Sequence, residues 1–278
     1  MILSIGELVL DVTIAPEGEL RSDDDRAANI RVGGGGQAAN FSAWAAALGE
    51  PVRLITKVGD DETGRRLVAE IQDAGVEVCA VWGPEPTGAI AVLLGPNGER
   101  TMATQRGASV SLRPDDLRQE WFAGVDLIHI PAYSLFLEPL AAAARKAIDR
   151  VRARGGVVSI DLSSVAGLVD YGPARMAYDL ARLRPELLFA TIAEAQALAV
   201  PLEGLAKVPV LKLGAAGCRV FGRTIPALAV AAVDVTGAGD ALAAAFCASY
   251  LDGATPIEAA GRAVLVAAGA VGRAGARP

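Results

Sequence analysis

The residues best suited to chemistry lie near the C-terminus, in Asp234-Val-Thr-Gly-Ala-Gly-Asp240, followed by the helix-forming run Ala-Leu-Ala-Ala-Ala-Phe-Cys-Ala-Ser-Tyr-Leu. Gly237 and Gly239 permit a tight turn and close approach of backbone to a ligand. The N–H groups of Ala238, Gly239 and Asp240 then face out of the helix end unpaired, where the helix dipole is positive. Such an end suits the charge of a phosphoryl group in transfer. Asp240, expected to stay ionised at the helix start, could accept a proton from an attacking hydroxyl or orient it. Taken alone, the loop reads equally as a glycine turn with Asp240 as an ordinary N-cap. A dinucleotide-binding loop fits less well, because Leu242 stands where GxGxxG requires its third glycine, and no GxxxxGK[ST] occurs anywhere.

A second cluster, Gly33-Gly34-Gly35-Gly36-Gln-Ala-Ala-Asn40, opens an alanine-rich helix pattern that ends at Gly49. Four glycines stabilise neither a strand nor a helix interior, but they can bring bare backbone against a ligand. Asn40 near the helix start can donate to and accept from sugar hydroxyls. On its own, the cluster also reads as a flexible hinge.

These loops need a frame. Ile2–Ile5, Val52–Val58, Leu127–Ile130, Val157–Ile160, Leu187–Ile192 and Val210–Leu213 are continuous apolar runs, as parallel strands covered on both faces must be. Between them lie helical patterns. In Leu140–Arg152 the residues Leu140, Ala143, Ala144, Ala147, Ile148 and Val151 share one face. The alternation predicts a parallel sheet with helices on both sides. Val76–Trp82, Gly88–Leu94 and Arg100–Gln105 break it, with a hairpin turn expected at Gly95-Pro96-Asn97-Gly98. These strands, with polar Val12–Val32, predict a β-lid from segments of about 12–32 and 76–105 on a single α/β domain spanning 1–278.

Taken together, the clusters resemble the two signatures of PfkB/ribokinase-like kinases, GGxxxNxAxxxAxLG and DTxGAGD. Ser42 replaces the first alanine of the former and Val235 the first threonine of the latter. The resemblance extends to Val58-Gly-Asp-Asp-Glu-Thr-Gly64, to Thr87-Gly88 with Gly98-Glu-Arg-Thr101, and to Lys212-Leu-Gly-Ala-Ala-Gly217. It implies a ribokinase-like three-layer α/β sandwich with a mostly parallel sheet and a small β-lid. It further implies transfer of the ATP γ-phosphoryl group to a sugar or nucleoside hydroxyl, with Mg2+ and, in some members, K+. Asp240 matches the catalytic base, and Gly237, Ala238 and Gly239 the anion hole. Asp11, Gly35, Gly36 and Asn40 match the sugar contacts. Arg106 could reach a substrate anion or be an exposed lid arginine. Lys212, Gly214, Gly217 and Thr236 match the nucleotide site, and Asp234 with Thr236 the cation loop. Where the family shows Asn-x-x-Glu near magnesium, this chain has Thr191-Ile-Ala-Glu194, so Thr191 would reach metal-bound water only with a hydroxyl. Asp161-Leu-Ser-Ser lacks the Asp-Pro-Asn-x-Arg run of the ketodeoxygluconate and fructose branches. The adenine side of the pocket is expected to be short. A kinase-fold binding protein with little turnover is the alternative.

Composition narrows the field further. The 278 residues carry a net charge of −6, which speaks against a nucleic-acid or membrane-surface binder. Cys79, Cys218 and Cys247 have no metal-ligand spacing and read as free thiols of a soluble, cytoplasmic protein. The one histidine, His129, lies in an apolar run and reads as a satisfied core residue. The lid's exposed strand edges make it a candidate homodimer surface.

Overall fold

The computed structural model describes residues 1–95 and 99–278. The chain enters through β1 (Ile2–Ile5), β2 (Val9–Pro16), β3 (Ala28–Gly35), α1 (Gln37–Ala47), β4 (Val52–Gly59), α2 (Glu62–Asp73), β5 (Glu77–Gly83), β6 (Thr87–Leu94) and β7 (Arg100–Gly107). It continues through β8 (Leu127–Pro131), α3 (Tyr133–Phe136), α4 (Leu140–Arg152), β9 (Val157–Asp161), α5 (Val165–Tyr171), α6 (Pro173–Leu183), β10 (Leu187–Thr191) and α7 (Ile192–Leu198). The last elements are β11 (Val208–Lys212), β12 (Cys218–Val220), β13 (Arg223–Ile225), α8 (Ala238–Leu251) and α9 (Pro256–Val271).

Nine strands form one sheet in the order β13-β12-β11-β10-β9-β8-β1-β4-β5, in which only β12 runs against the others. One face packs on α1, α2, α8 and α9, through Phe41, Leu67, Ile71, Phe246 and Val264. The other packs on α4–α7, through Ile148, Leu168, Leu180 and Leu198. This three-layer arrangement explains why the central strands read as continuous apolar runs: both faces are buried. α1 and α8 lack a polar stripe because the sheet lies on one side and other helices on the other.

The second sheet, order β3-β2-β6-β7, is the lid. Its outer pairs are antiparallel, while β2 and β6 run parallel. Four expectations change. The strand expected in the lid at Val76–Trp82 is Glu77–Gly83 and pairs with β4 at the edge of the large sheet, because α2 completes a parallel crossover before it. Gly33–Gly35, expected outside any strand, pair in β3 with Asp11, Leu10 and Val9. Ile192, expected in a strand, opens α7, because Thr191 caps that helix. The strand expected at Val210–Leu213 begins earlier and is Val208–Lys212. β6 and β7 close with Gly95 N–H donating to the Glu99 carbonyl at 2.8 Å. The turn expected over Pro96, Asn97 and Gly98 lies outside the described residues.

His129 is fully buried, stacked on Phe41 with ring centroids 3.8 Å apart, and burial lowers its pKa to about 3. Its Nδ1 meets Ser159 Oγ at 2.9 Å, but Nε2 is buried without a partner among the described residues, so the expected satisfied histidine is only half satisfied. All three cysteines are free and buried, and burial pushes their thiols up to about 12 for Cys79 and Cys247 and about 11 for Cys218. They should not react with a thiol reagent in the native protein at pH 8. All three should react in denaturant, and rapid native labelling would contradict this packing.

Candidate active site

The strands β9, β10 and β11 end side by side, delivering Asp161, Thr191 and Lys212 to the carboxyl edge of the sheet, where open α/β folds place their ligands. Lys212 Nζ donates to both Asp161 oxygens, at 2.9 and 2.7 Å. Burial works against the ammonium, yet Asp161 and Glu194 outweigh it and raise its pKa. Thr191 and Glu194 form a reciprocal cap: Glu194 N–H donates to Thr191 Oγ1 at 3.2 Å, and Thr191 N–H to Glu194 Oε2 at 2.7 Å. Burial raises the Glu194 pKa, with Lys212 opposing and Asp161 adding.

Gly237 turns the chain into α8 with φ +75°. A Cβ there would stand 2.1 Å from the Ala276 carbonyl oxygen, so the turn is confined to glycine twice over. Ala238 N–H makes a long 3.4 Å bond to the Val235 carbonyl, which corrects the expectation that it is unpaired. No described residue accepts from the N–H groups of Gly239 or Asp240. Asp240 follows in the first turn, 9% exposed. Burial and the Asp161 charge raise its pKa to about 7, against Lys212 and the neighbouring Asn40 and Gln37 amides. The expected fully ionised carboxylate is therefore corrected: packing removes the water that would have kept it charged.

On one side of this helix start lies an apolar groove of about 570 Å³. Thr191, Lys212, Gly214, Gly217, Gly239 and Val264 are among the residues that line it. Gly214 and Gly217 carry φ +59° and +96° in the turn after β11. Thr236 is not among the lining residues; its N–H and hydroxyl both bond Asp234.

On the other side lies a polar cradle beneath the lid. Asp11 projects from β2 over Gly35, where a Cβ would stand 2.1 Å from its carboxyl carbon. Burial lifts Asp11 to about 6, with Arg277 pulling against it and Glu7 adding. Gly36 (φ +97°) passes so close to Glu7 that a Cβ would lie 2.4 Å from its carbonyl oxygen. Asn40 is buried in α1, and its Oδ1 accepts from Arg277 Nε at 3.1 Å. Two buried acceptors, Asp11 Oδ1 and Gln37 Oε1, have no donor among the described residues. Arg106 is not an exposed lid arginine: it pairs with the buried Glu7 carboxylate and lies 4.3 Å over the Tyr133 ring.

Asp234, expected in a cation loop, joins the lid to the anion loop. It accepts from Arg100 Nη2 at 2.9 Å, Thr236 N–H at 2.9 Å and Gly275 N–H at 3.2 Å, with Arg31 Nη2 at 3.8 Å. Burial would raise its pKa, but the Thr236 and Gly275 donors and Arg100 hold it below the ordinary value. Asp161, Glu7, Gln37 and Arg277 were not singled out as contacts in the sequence. Asp161 alone had a local signal, as the polar end of an apolar run.

A model of the pfkB family of carbohydrate kinases matches residues 1–278. The chain belongs to the pfkB carbohydrate kinase family. It is 31% identical over 264 residues to an ATP-dependent ribose-1-phosphate kinase of Halopiger xanaduensis, covering 90% of this chain and 84% of that one. Its fold superposes on an adenosine kinase from Sinorhizobium meliloti with a TM-score of 0.88 and 25% identity, covering 100% and 95% of the two chains. A putative ribokinase II from E. coli, solved with ATP and Mg2+, superposes with a TM-score of 0.86 and 24% identity, covering 99% and 94%. This pfkB-family protein is thus an ATP-dependent phosphotransferase, which favours the kinase reading over the binding-protein and dinucleotide alternatives. Among its described residues, no helix is long and apolar enough to cross a membrane.

The raised Asp240 pKa has a stability consequence. Its folded value lies above its ordinary 3.8, so the folded protein holds the proton more tightly, and Asp240 costs stability as pH rises from about 4 through about 7. Asp240→Asn should therefore be more stable than the parent at pH 8 by up to about 4 kcal/mol, a gain that shrinks towards pH 4. Urea denaturation at both pH values tests this. A destabilised variant at pH 8 would show that the carboxylate is well solvated or paired.

Proposed function

We propose that this kinase phosphorylates a hydroxyl of a sugar or nucleoside, with Asp240 as the base and the start of α8 as the anion hole. The observation that carries the reading is the position of Asp240. It directly follows Gly239, which lines the apolar groove, and the cradle amides Asn40 and Gln37 act on its carboxyl, whose pKa is about 7. A carboxylate of that basicity can take a hydroxyl proton near neutral pH.

The cradle supplies the acceptor side. Asp11 Oδ1 and Gln37 Oε1 are acceptors lacking donors, and sugar hydroxyls would donate to them. Gly35 and Gly36 leave the floor bare, and Asn40 adds an amide. The groove supplies the nucleotide side: apolar walls for the base, and the Gly214–Gly217 turn near the phosphates. The Gly239 and Asp240 N–H groups, at the positive end of α8, receive charge on the transferring phosphoryl oxygens. The lid arginine Arg106 is engaged by Glu7, so it would act on an acceptor only after leaving that partner.

The charge balance fits Mg2+. Asp161, Glu194 and a partly ionised Asp240 surround the single ammonium of Lys212. An ATP triphosphate beside that excess of carboxylates needs a further cation. No group of three His, Cys, Asp or Glu residues among the described ones could cage a metal, as suits an ion held mainly by phosphate and water. Glu194 and Thr191 would hold its waters, and when bound it would draw charge from the phosphates. K+ at Asp234 finds less support, since two arginines face that carboxylate.

The chain is further inferred to dimerise through the lid. β3 and β7 are the lid's outer strands, and Ile30, Val32 and Met102 on them are 58%, 53% and 62% exposed. A solution mass of twice the chain, halved by Val32→Glu, is expected; a parent monomer at high concentration removes the idea.

ADP release from Mg·ATP across sugars and nucleosides tests the function. Ribose-based acceptors come first, because the relatives are named for ribose 1-phosphate and adenosine. One acceptor should stimulate release, with kcat rising through about pH 7, and Asp240→Asn should cut it at least about hundredfold. Full activity in Asp240→Asn would end its assignment as base.

A further inference from the structure

The cradle is backed by the segment after α9. Trp44 Nε1 donates to the Ala276 carbonyl at 2.9 Å, and the same carbonyl lies against Gly237. These contacts fix residue 276, and the next side chain, Arg277, enters between β3 and α1. Its Nε donates to Asn40 Oδ1 at 3.1 Å and its Nη2 to the Gly35 carbonyl at 2.9 Å. A Cβ on Gly34 would stand 2.3 Å from Nη1, so the strand leaves out a side chain where the guanidinium passes. No described carboxylate lies within ion-pair distance of Arg277.

The partners chosen by this arginine matter because Asn40 has two ends. An amide presents an acceptor oxygen and a donor NH2, and the surrounding network decides which way it turns. Arg277 can only donate, so it claims Oδ1. The NH2 is then left to face Asp240, where Asn40 and Gln37 hold the carboxyl below the value that burial alone would give. Gln37 has no arginine partner among the described residues, and its Oε1 is buried there without a donor.

We propose that Arg277 is a positioning residue for phosphoryl transfer. By donating to Asn40 Oδ1 and the Gly35 carbonyl, it locks the Asn40 amide with its NH2 towards Asp240. Base and amide are then aimed together at the acceptor hydroxyl. The inference rests on Asp240 being the base, yet its geometry can be tested without turnover.

The test combines Arg277→Met, Arg277→Lys and Asn40→Leu. The Asp240 carboxyl carbon is titrated by NMR in ligand-free protein, with Asp240→Asn assigning the signal. Arg277→Met should raise the Asp240 midpoint by about one pH unit. It should shift the acid limb of the kcat profile equally, and leave KM for ATP unchanged. Arg277→Lys, which keeps the charge and one donor, should recover part of the shift. In an Asn40→Leu background, Arg277→Met should move the midpoint less, because only the through-space charge remains. An unchanged midpoint in Arg277→Met, or an equal shift with and without Asn40, overturns the proposal. If the midpoints move as expected but no acceptor is phosphorylated, the amide lock stands and the assignment of Asp240 as base falls.

Discussion

The electrostatics of the site depend on the buried ion pair of Lys212 with Asp161. The carboxylate is fully buried at the end of β9, and the ammonium reaches it from the end of β11. A charge so deep is tolerable only when paired. Pairing also commits most of the lysine's charge to Asp161, leaving too little to keep Asp240 ionised. Asp240 therefore feels burial and a neighbouring carboxylate first, and the lysine third. An aspartate that would be a weak base in water thus becomes one matched to neutral pH, at a cost in stability that the large apolar core can absorb.

Bare backbone is the second constraint. Gly35 makes room for Asp11, Gly34 for Arg277, Gly36 for Glu7 and Gly237 for Ala276. Each is a place where two chain segments must approach closer than a side chain allows. The glycine clusters are therefore not hinges but close-packed crossings that set the cradle's depth. Asp234 extends the same logic to the lid, since arginines of β3 and β7 meet at one carboxylate that also fixes Thr236 in the loop before α8. Lid position and the geometry of the loop before α8 are mechanically joined there.

Most of the body was legible in the sequence. Buried parallel strands must be apolar throughout, and the face of Leu140–Arg152 is buried as its periodicity indicates. The glycine turn into α8 before Asp240 was legible because a left-handed turn at a helix start has few sequence solutions. What failed depended on tertiary neighbours. Glu77–Gly83 has strand composition in either sheet, and only its partner decides which. The Asp240 charge state depends on burial and on Asp161, 79 positions away in the chain. Arg106 and Arg277 look like ordinary surface arginines until Glu7 and Asn40 are placed beside them.

The departure at Thr191 shows how local structure can conserve a role when a residue changes. Asparagine and threonine are both good helix N-caps, each accepting from the N–H groups of the first turn. In this chain Thr191 accepts from Glu194 N–H, and Glu194 returns the bond through one carboxylate oxygen. That reciprocal cap fixes the Glu194 carboxylate at the start of α7, beside Thr191, which lines the groove. The amide's longer reach is lost, but the orientation of the acid is kept. The substitution thus shortens the cap while preserving a carboxylate whose charge acts on Lys212.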